Sequence, residues 1–395
     1  MLSLKKIYRF FFFIILLCCF GIGGILQFFF GIPNTIYTFL ILLFFYFFII
    51  IYIVVKRKFF IDSLIIILCL FELVIISSGA INGVSLEKIL IYSIFSLLPL
   101  GVYLFFKINQ REGYITSTSI DDIFFKISLL QFPIMLIQHY GFPLFIKFNR
   151  SRQYIADFDF MFGSFFLKAD HALGLFLLLV IMRILLKNDK RKITKYPLLV
   201  VVYLSFAILY GESNLSKLFL VIFLFYYLYQ TFPKRWKLFG IILIALLVPI
   251  VSSKMKNIQA FKVHLYFMKY EYSVDKSYQN YTKGIAKRPQ IVIVLANKFP
   301  LKYIGDGPYS YFDIIKGRFK LNRHFSQLIW TYVDIGIIGV SMLLLILIVL
   351  ILRINVPSSY IWLIGLIVFS YAFLTTIFSD LGILIALFSF LKKRK

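Results

Sequence analysis

Long apolar runs broken by short charged connections repeat along almost the whole chain, and each run has the length of a membrane-crossing helix. About 15–25 apolar residues in helical conformation suffice to cross about 30 Å of hydrocarbon. Such runs fall at 10–30, 36–55, 59–77, 89–106, 123–140 and 172–186. Further runs follow at 196–210, 218–231, 238–251, 328–352, 360–378 and 381–391. The pattern predicts an all-α polytopic integral membrane protein of about twelve transmembrane helices, the last of them short. Residues 1–395 read as a single membrane domain, with no internal repeat and no soluble domain.

Composition agrees with that pattern: 61% of residues are hydrophobic, 15% are charged, and the mean hydropathy is +0.90. A soluble globule with one core is excluded. The charges order the spans. Lys5, Lys6 and Arg9, then Lys56 to Lys58, Lys107 with Arg111, 187–195, Lys234 to Lys237, Arg353 and 392–395 occupy every second connection. By the positive-inside rule these face the cytoplasm, which puts both termini there. The first run is too long for a signal peptide and lacks a small-residue cleavage site, so it reads as an uncleaved span. The net charge of +26 sits in span-end clusters and one long loop. It therefore points to topology and anionic membrane lipids, and not to nucleic acid. Cys18, Cys19 and Cys69 lie inside apolar runs, and neither a disulfide framework nor a metal site follows from them.

The polar stretch 252–327, between the ninth and tenth spans, falls outside the cytoplasm by this alternation. It carries fourteen Lys and Arg against four acids. A loop of this length is translocated despite its charge, and an anionic ligand accounts for the excess. Arg288 opens an apolar stretch that suits a short helix, where its fork of donors matches phosphate oxygens; the alternative is a solvated surface charge. Arg318, Arg323 and His324 lead into the tenth span. His324 is placed to exchange a proton at the outer face, or else to hydrogen-bond at a helix start. Asp334 follows about three helical turns deeper, as a functional acid or as a partner for a neighbouring helix. A second outer loop brings Arg152, Lys168 and His171 to the mouth of the sixth span. Lys217 begins the eighth.

In this order the pieces resemble the O-antigen polymerase/ligase superfamily, most closely its Wzy-type polysaccharide polymerases. Phe162, Gly163 and Ser164, followed by Lys168 to Gly174, are similar to the family segment that opens a middle helix. Ser213 to Lys217 loosely matches a family turn that ends in Arg. Arg288, an apolar helix, then Pro300, Leu301, Gly305 and Gly307 resemble its Arg, helix and Pro-Leu-Gly pattern. His324 followed by Asp334, Gly336 and Gly339 resembles its His and Glu-Gly-Gly approach to the next span. Lys217 stands for Arg and Asp334 for Glu. Phe325 follows the His where Asn is common.

The resemblance implies a GT-C-like, inverting, metal-independent and cofactor-free glycosyltransferase in the bacterial cytoplasmic (inner) membrane. It would polymerise polyprenyl-pyrophosphate-linked oligosaccharide units into O-antigen or capsular polysaccharide. Catalysis would rest on His324 and Arg288; substrate would be bound by Arg323, Arg318, Arg152, Lys168, His171, Lys217 and Asp334. The implied partners are the lipid-linked glycan, membrane lipids, a flippase and a chain-length regulator. The alternatives are ligase-type transfer of finished glycan to another acceptor, a polysaccharide flippase or transporter, and a non-catalytic scaffold. Mid-span Glu72 and Lys126 suit a transporter. The outer-face gathering of the other polar residues suits an enzyme.

Overall fold

A computed structural model of the chain describes residues 3–186, 194–231, 267–311 and 326–391. These form an all-helical, polytopic membrane architecture. Among the described residues, five helices are long and apolar enough to cross a membrane: Leu4–Phe30, Asn34–Lys56, Ser63–Ile81, Leu86–Glu112 and Gln327–Arg353. Among the described residues, extended pairing is confined to one antiparallel bridge between Ile354 and Leu391.

Shorter or more polar helices complete the bundle: Ser117–Phe145, Asp170–Leu186, Pro197–Tyr210, Asn214–Thr231, Ile361–Leu374 and Leu381–Ser389. Ser117–Phe145 runs on both sides of the expected 123–140 run, because Thr116 caps its start, its side-chain oxygen accepting from the Ser119 N–H at 3.2 Å. Two expected spans are interrupted. The helix through 89–106 turns at Leu97, ahead of Pro99, where the Leu97 carbonyl accepts both from the Gly101 N–H and from the Tyr46 hydroxyl at 3.0 Å. The run expected over 360–378 stops being helical at Leu374, and Thr375 is extended. Its carbonyl accepts the Gln327 N–H at 2.8 Å. The expected span at 238–251 lies outside the described residues.

Lipid tails are as apolar as the side chains they meet, so helix association here depends on close packing and polar contacts. Ring stacks supply much of the first: Tyr8 lies on Phe105 at 4.2 Å between centroids, and Phe20 meets Phe165 at 4.9 Å. Small residues let backbones approach. Gly174 faces Ser213 and Ser216 across two helices with no room for a Cβ. Phe10, Phe47 and Val54 are 62%, 56% and 69% exposed, an apolar face suited to lipid.

A part-buried ionic knot fixes one end of the bundle. Asp62 caps Ser63–Ile81 through the Leu64 and Ile65 N–H groups at 3.0 and 3.2 Å. Its carboxylate also takes Arg353 at 2.9 Å, Lys107 at 3.4 Å and the Tyr103 hydroxyl. Arg353 donates further to the Ser63 hydroxyl at 2.7 Å. At this same end Arg9 donates to the Tyr114 carbonyl at 3.1 Å, and Gln110 to the Leu391 carbonyl at 3.1 Å. The first and last described helices therefore bring their chain ends to one side.

Candidate functional site

At the opposite end, the long Gln327–Arg353 helix is broken at Gly336, whose φ of 80° and ψ of −164° are not helical. A break inside a membrane frees backbone groups that must find partners within the protein. The segment 302–311 supplies them. Asp306 N–H donates to the Val333 carbonyl and Gly307 N–H to the Asp334 carbonyl, both at 2.9 Å. In return Ile337 N–H donates to the Lys302 carbonyl at 3.0 Å, and Ile338 N–H to that of Tyr303 at 3.1 Å. Ser78 ties in a third element, donating to Ile304 O at 2.7 Å and Asp334 O at 3.0 Å. Two glycines make this clasp possible. A Cβ on Gly305 would stand 2.5 Å from the Asp334 carbonyl carbon, and one on Gly336 2.5 Å from the Gly305 nitrogen.

The Asp334 side chain completes the clasp. It is fully buried, and its Oδ1 accepts from Tyr311 N–H at 2.7 Å and the Ser310 hydroxyl at 2.9 Å. The side chains of Trp330 and Tyr92 lie close to the carboxylate. Asp334 thus holds the loop and does not face open space. Asp334→Ala strands a buried backbone donor and a hydroxyl, at about 1–3 kcal/mol for each unsatisfied group. A clear fall in melting temperature in detergent is expected, with Asp334→Asn, which keeps one acceptor oxygen, losing much less. Equal melting of wild type and Asp334→Ala would contradict this role.

The clasp loop is preceded by the helix Arg288–Lys298, whose first turn carries Pro289. Gln290 sets the start: its Oε1 accepts Lys287 N–H at 2.8 Å, and its Nε2 donates to the Glu271 carbonyl at 2.8 Å. Ile291 and Val294 are fully buried in a small core with Tyr281, Tyr311, Ile329 and Val333. That packing pins the helix to the first turns of Gln327–Arg353. It also leaves Lys283, Lys287 and Arg288 exposed at or just before the helix N-terminus, where the macrodipole favours an anion. Lys287 pairs with Glu271, which raises its pKa. Arg288 is close enough to Tyr311 to oppose the rise that burial and Asp334 impose on that phenol. Tyr311 packs with Ile291 and Val294 of the helix that Arg288 begins and donates its N–H to Asp334, which links that helix to Gln327–Arg353.

A second cluster gathers around His171. Its Nδ1 lies 3.0 Å from the Ser213 hydroxyl, with the Asp170 carboxylate at 3.8 Å. Ser216 donates to Ser213 at 2.7 Å and shares a 2.6 Å hydrogen bond with Tyr371. The row of hydroxyls runs from buried Tyr371 to part-exposed His171, and Lys217 follows Ser216 on the same helix. Lys168 is exposed, has a φ of 62°, and pairs with Asp159 at 3.6 Å. Arg152 is exposed in the preceding loop, with a φ of 57°. Tyr371 O accepts from Thr375 N–H, and Thr375 O accepts from Gln327 N–H, both at 2.8 Å. The His171 cluster is thereby joined to the start of the broken helix. His324, Arg323 and Arg318 lie outside the described residues.

The turn at Gly163 and Ser164 has a structural explanation that the sequence did not reveal. Buried Gln138 both donates to the Gly163 carbonyl at 2.7 Å and accepts its N–H at 2.9 Å. Gln131 accepts Ser164 N–H at 2.9 Å. Two glutamines seven residues apart share one helix face, and that spacing in an apolar helix is the signal that could have found them. The chain matches no protein-family model, no curated protein and no solved structure.

Proposed function

We propose that this chain is a membrane glycosyltransferase that joins polyprenyl-pyrophosphate-linked oligosaccharide units into a polysaccharide at the outer face of the bacterial cytoplasmic membrane. The single observation that carries the proposal is the clasp. Arg288 with its helix, the Gly305 to Gly307 turn and the Asp334 to Gly336 break are three of the pieces on which the sequence resemblance rests, and they pack together. A turn and a helix break with unrelated roles have no need to supply each other's backbone partners.

In the proposed reaction an acceptor hydroxyl attacks the anomeric carbon of the donor glycan. The bond from that carbon to the pyrophosphate oxygen breaks, and its electron pair leaves with the pyrophosphate. Arg288, assisted by Arg323 and Arg318, neutralises the charge that develops on the leaving group. His324 takes the hydroxyl proton. Lys168, His171, Lys217 and Arg152 lie toward the second outer loop, where they would meet the glycan. The reading includes about twelve spans, cytoplasmic termini and a translocated 252–327 loop. It also includes cooperation with a flippase and a chain-length regulator.

Deleting the gene in its host separates this activity from its sister, ligation of finished glycan. Loss of a polymerase is expected to leave single repeat units on the surface acceptor. Accumulation of long lipid-linked polymer would instead assign the chain to ligation.

A further inference from the structure

Beside the clasp lies a small cleft that the reaction above does not use. It is lined by Tyr92, Ser96, Tyr309, Gln327, Trp330 and Phe378. Tyr92 is the hub: the Tyr309 ring stands edge-on to it at 5.3 Å and 86°, and the Trp330 ring at 5.8 Å and 81°. Tyr309 reaches this position from a φ of 69°, a left-handed backbone that a bulky residue adopts only under constraint. The polar side of the cleft is unfinished. Gln327 is 7% exposed, and its Oε1 has no hydrogen-bond partner among the described residues. Behind Ser96, whose hydroxyl bonds Glu72 Oε2, the other Glu72 oxygen is likewise unpartnered. A buried acceptor left unmade costs about 1–3 kcal/mol, so such groups mark a place where a donor arrives.

The enclosed space is about 30 Å³. That is room for one hydroxyl-sized group and too little for a ring. Aromatic walls with one or two convergent polar atoms are the usual make-up of a site for a ligand with apolar faces and polar edges. We propose that this cleft is a saccharide subsite: a sugar ring rests against the aromatic rims at its mouth and directs one hydroxyl inward to Gln327 Oε1. That the ring is a sugar rests on the glycan-transfer reading; the cleft and its unpartnered acceptor do not. The site lies one helical turn from Asp334, and so beside the unit that carries Arg288.

Trp330 provides a direct readout, because the chain has three tryptophans and the other two, Trp236 and Trp362, can be replaced by Phe. Purified full-length protein in detergent is titrated with the methyl glycosides of glucose, galactose, N-acetylglucosamine and N-acetylgalactosamine, with glycerol as control. The expected result is a saturable change in Trp330 emission with at least one glycoside and none with glycerol. Gln327→Met, which keeps volume but removes the acceptor, should weaken binding about tenfold, the factor carried by one such hydrogen bond. Ser379 also lines the cleft, and Ser379→Val, which adds bulk there, should weaken binding as well; melting curves confirm that both variants fold. A linear response to every glycoside, or saturation unchanged in both variants, overturns the site and leaves a hydrated void. Polymer formation without glycoside binding would reject the subsite alone. Glycoside binding without polymer formation would keep the subsite and reject the polymerase reading.

Discussion

Replacing Arg288 with alanine is expected to cut glycan transfer by about 10²–10³, the usual loss when one preorganised group that stabilises developing charge is removed. The fold should survive the change. Arg288 is exposed, while the helix behind it is held by Ile291, Val294 and Gln290, and substitutions away from buried contacts usually move stability by less than about 0.5 kcal/mol. Arg288→Lys separates charge from geometry. Lysine keeps the charge and the helix-start position but presents a point charge in place of a planar fork. A bidentate contact to pyrophosphate would lose most of its value, so Arg288→Lys should fall well below wild type at matched protein levels. Wild-type polymer length and amount in Arg288→Lys would make Arg288 a surface charge only.

His324→Ala should cost more, about 10²–10⁴ in rate, as expected for removal of a positioned general base. The residue stands two positions before Ser326, whose hydroxyl caps the broken helix by accepting Ile329 N–H at 3.3 Å. The chain at His324 is therefore about to join the element that holds Asp334. His171→Ala is the informative comparison. His171 is engaged with Ser213 and lies beside Asp170, so its loss would disturb the Ser213, Ser216 and Tyr371 row and lower activity by a smaller factor. If His324→Ala keeps more than about a tenth of the wild-type rate, proton transfer does not depend on it. A larger loss in His171→Ala would move that role to the second cluster.

Hydropathy made the five long membrane-crossing helices legible because a long apolar run must become a helix to satisfy its own backbone in lipid. What it could not show were the places where a helix stops satisfying itself. Gly336 sits in an apolar run whose one charge is Asp334, and its break becomes visible only with the carbonyls of Lys302 and Tyr303, more than thirty residues earlier in the chain, that take over its neighbours' N–H groups. Thr375 ends a helix inside an apolar stretch for a similar reason, since its carbonyl serves Gln327. Arg288 stands at a helix start, as the Pro that follows it suggests. Asp334 shows what spacing leaves open. An acid at that depth left open a functional role or a partner on a neighbouring element; its Oδ1 meets Ser310 and Tyr311, and a position in the sequence does not reveal which loop will fold back to meet it. The glutamines that bind Gly163 and Ser164 were hidden for the same reason.

The most direct test of the central claim is to place the purified protein in liposomes with polyprenyl-pyrophosphate-linked repeat units and resolve the products by glycan length. Polymerisation predicts a ladder of lengthening glycans, release of one polyprenyl pyrophosphate for each bond formed, and loss of both in Arg288→Ala. Movement of the lipid-linked units across the bilayer with no glycan longer than the starting unit would contradict the account and identify a transporter.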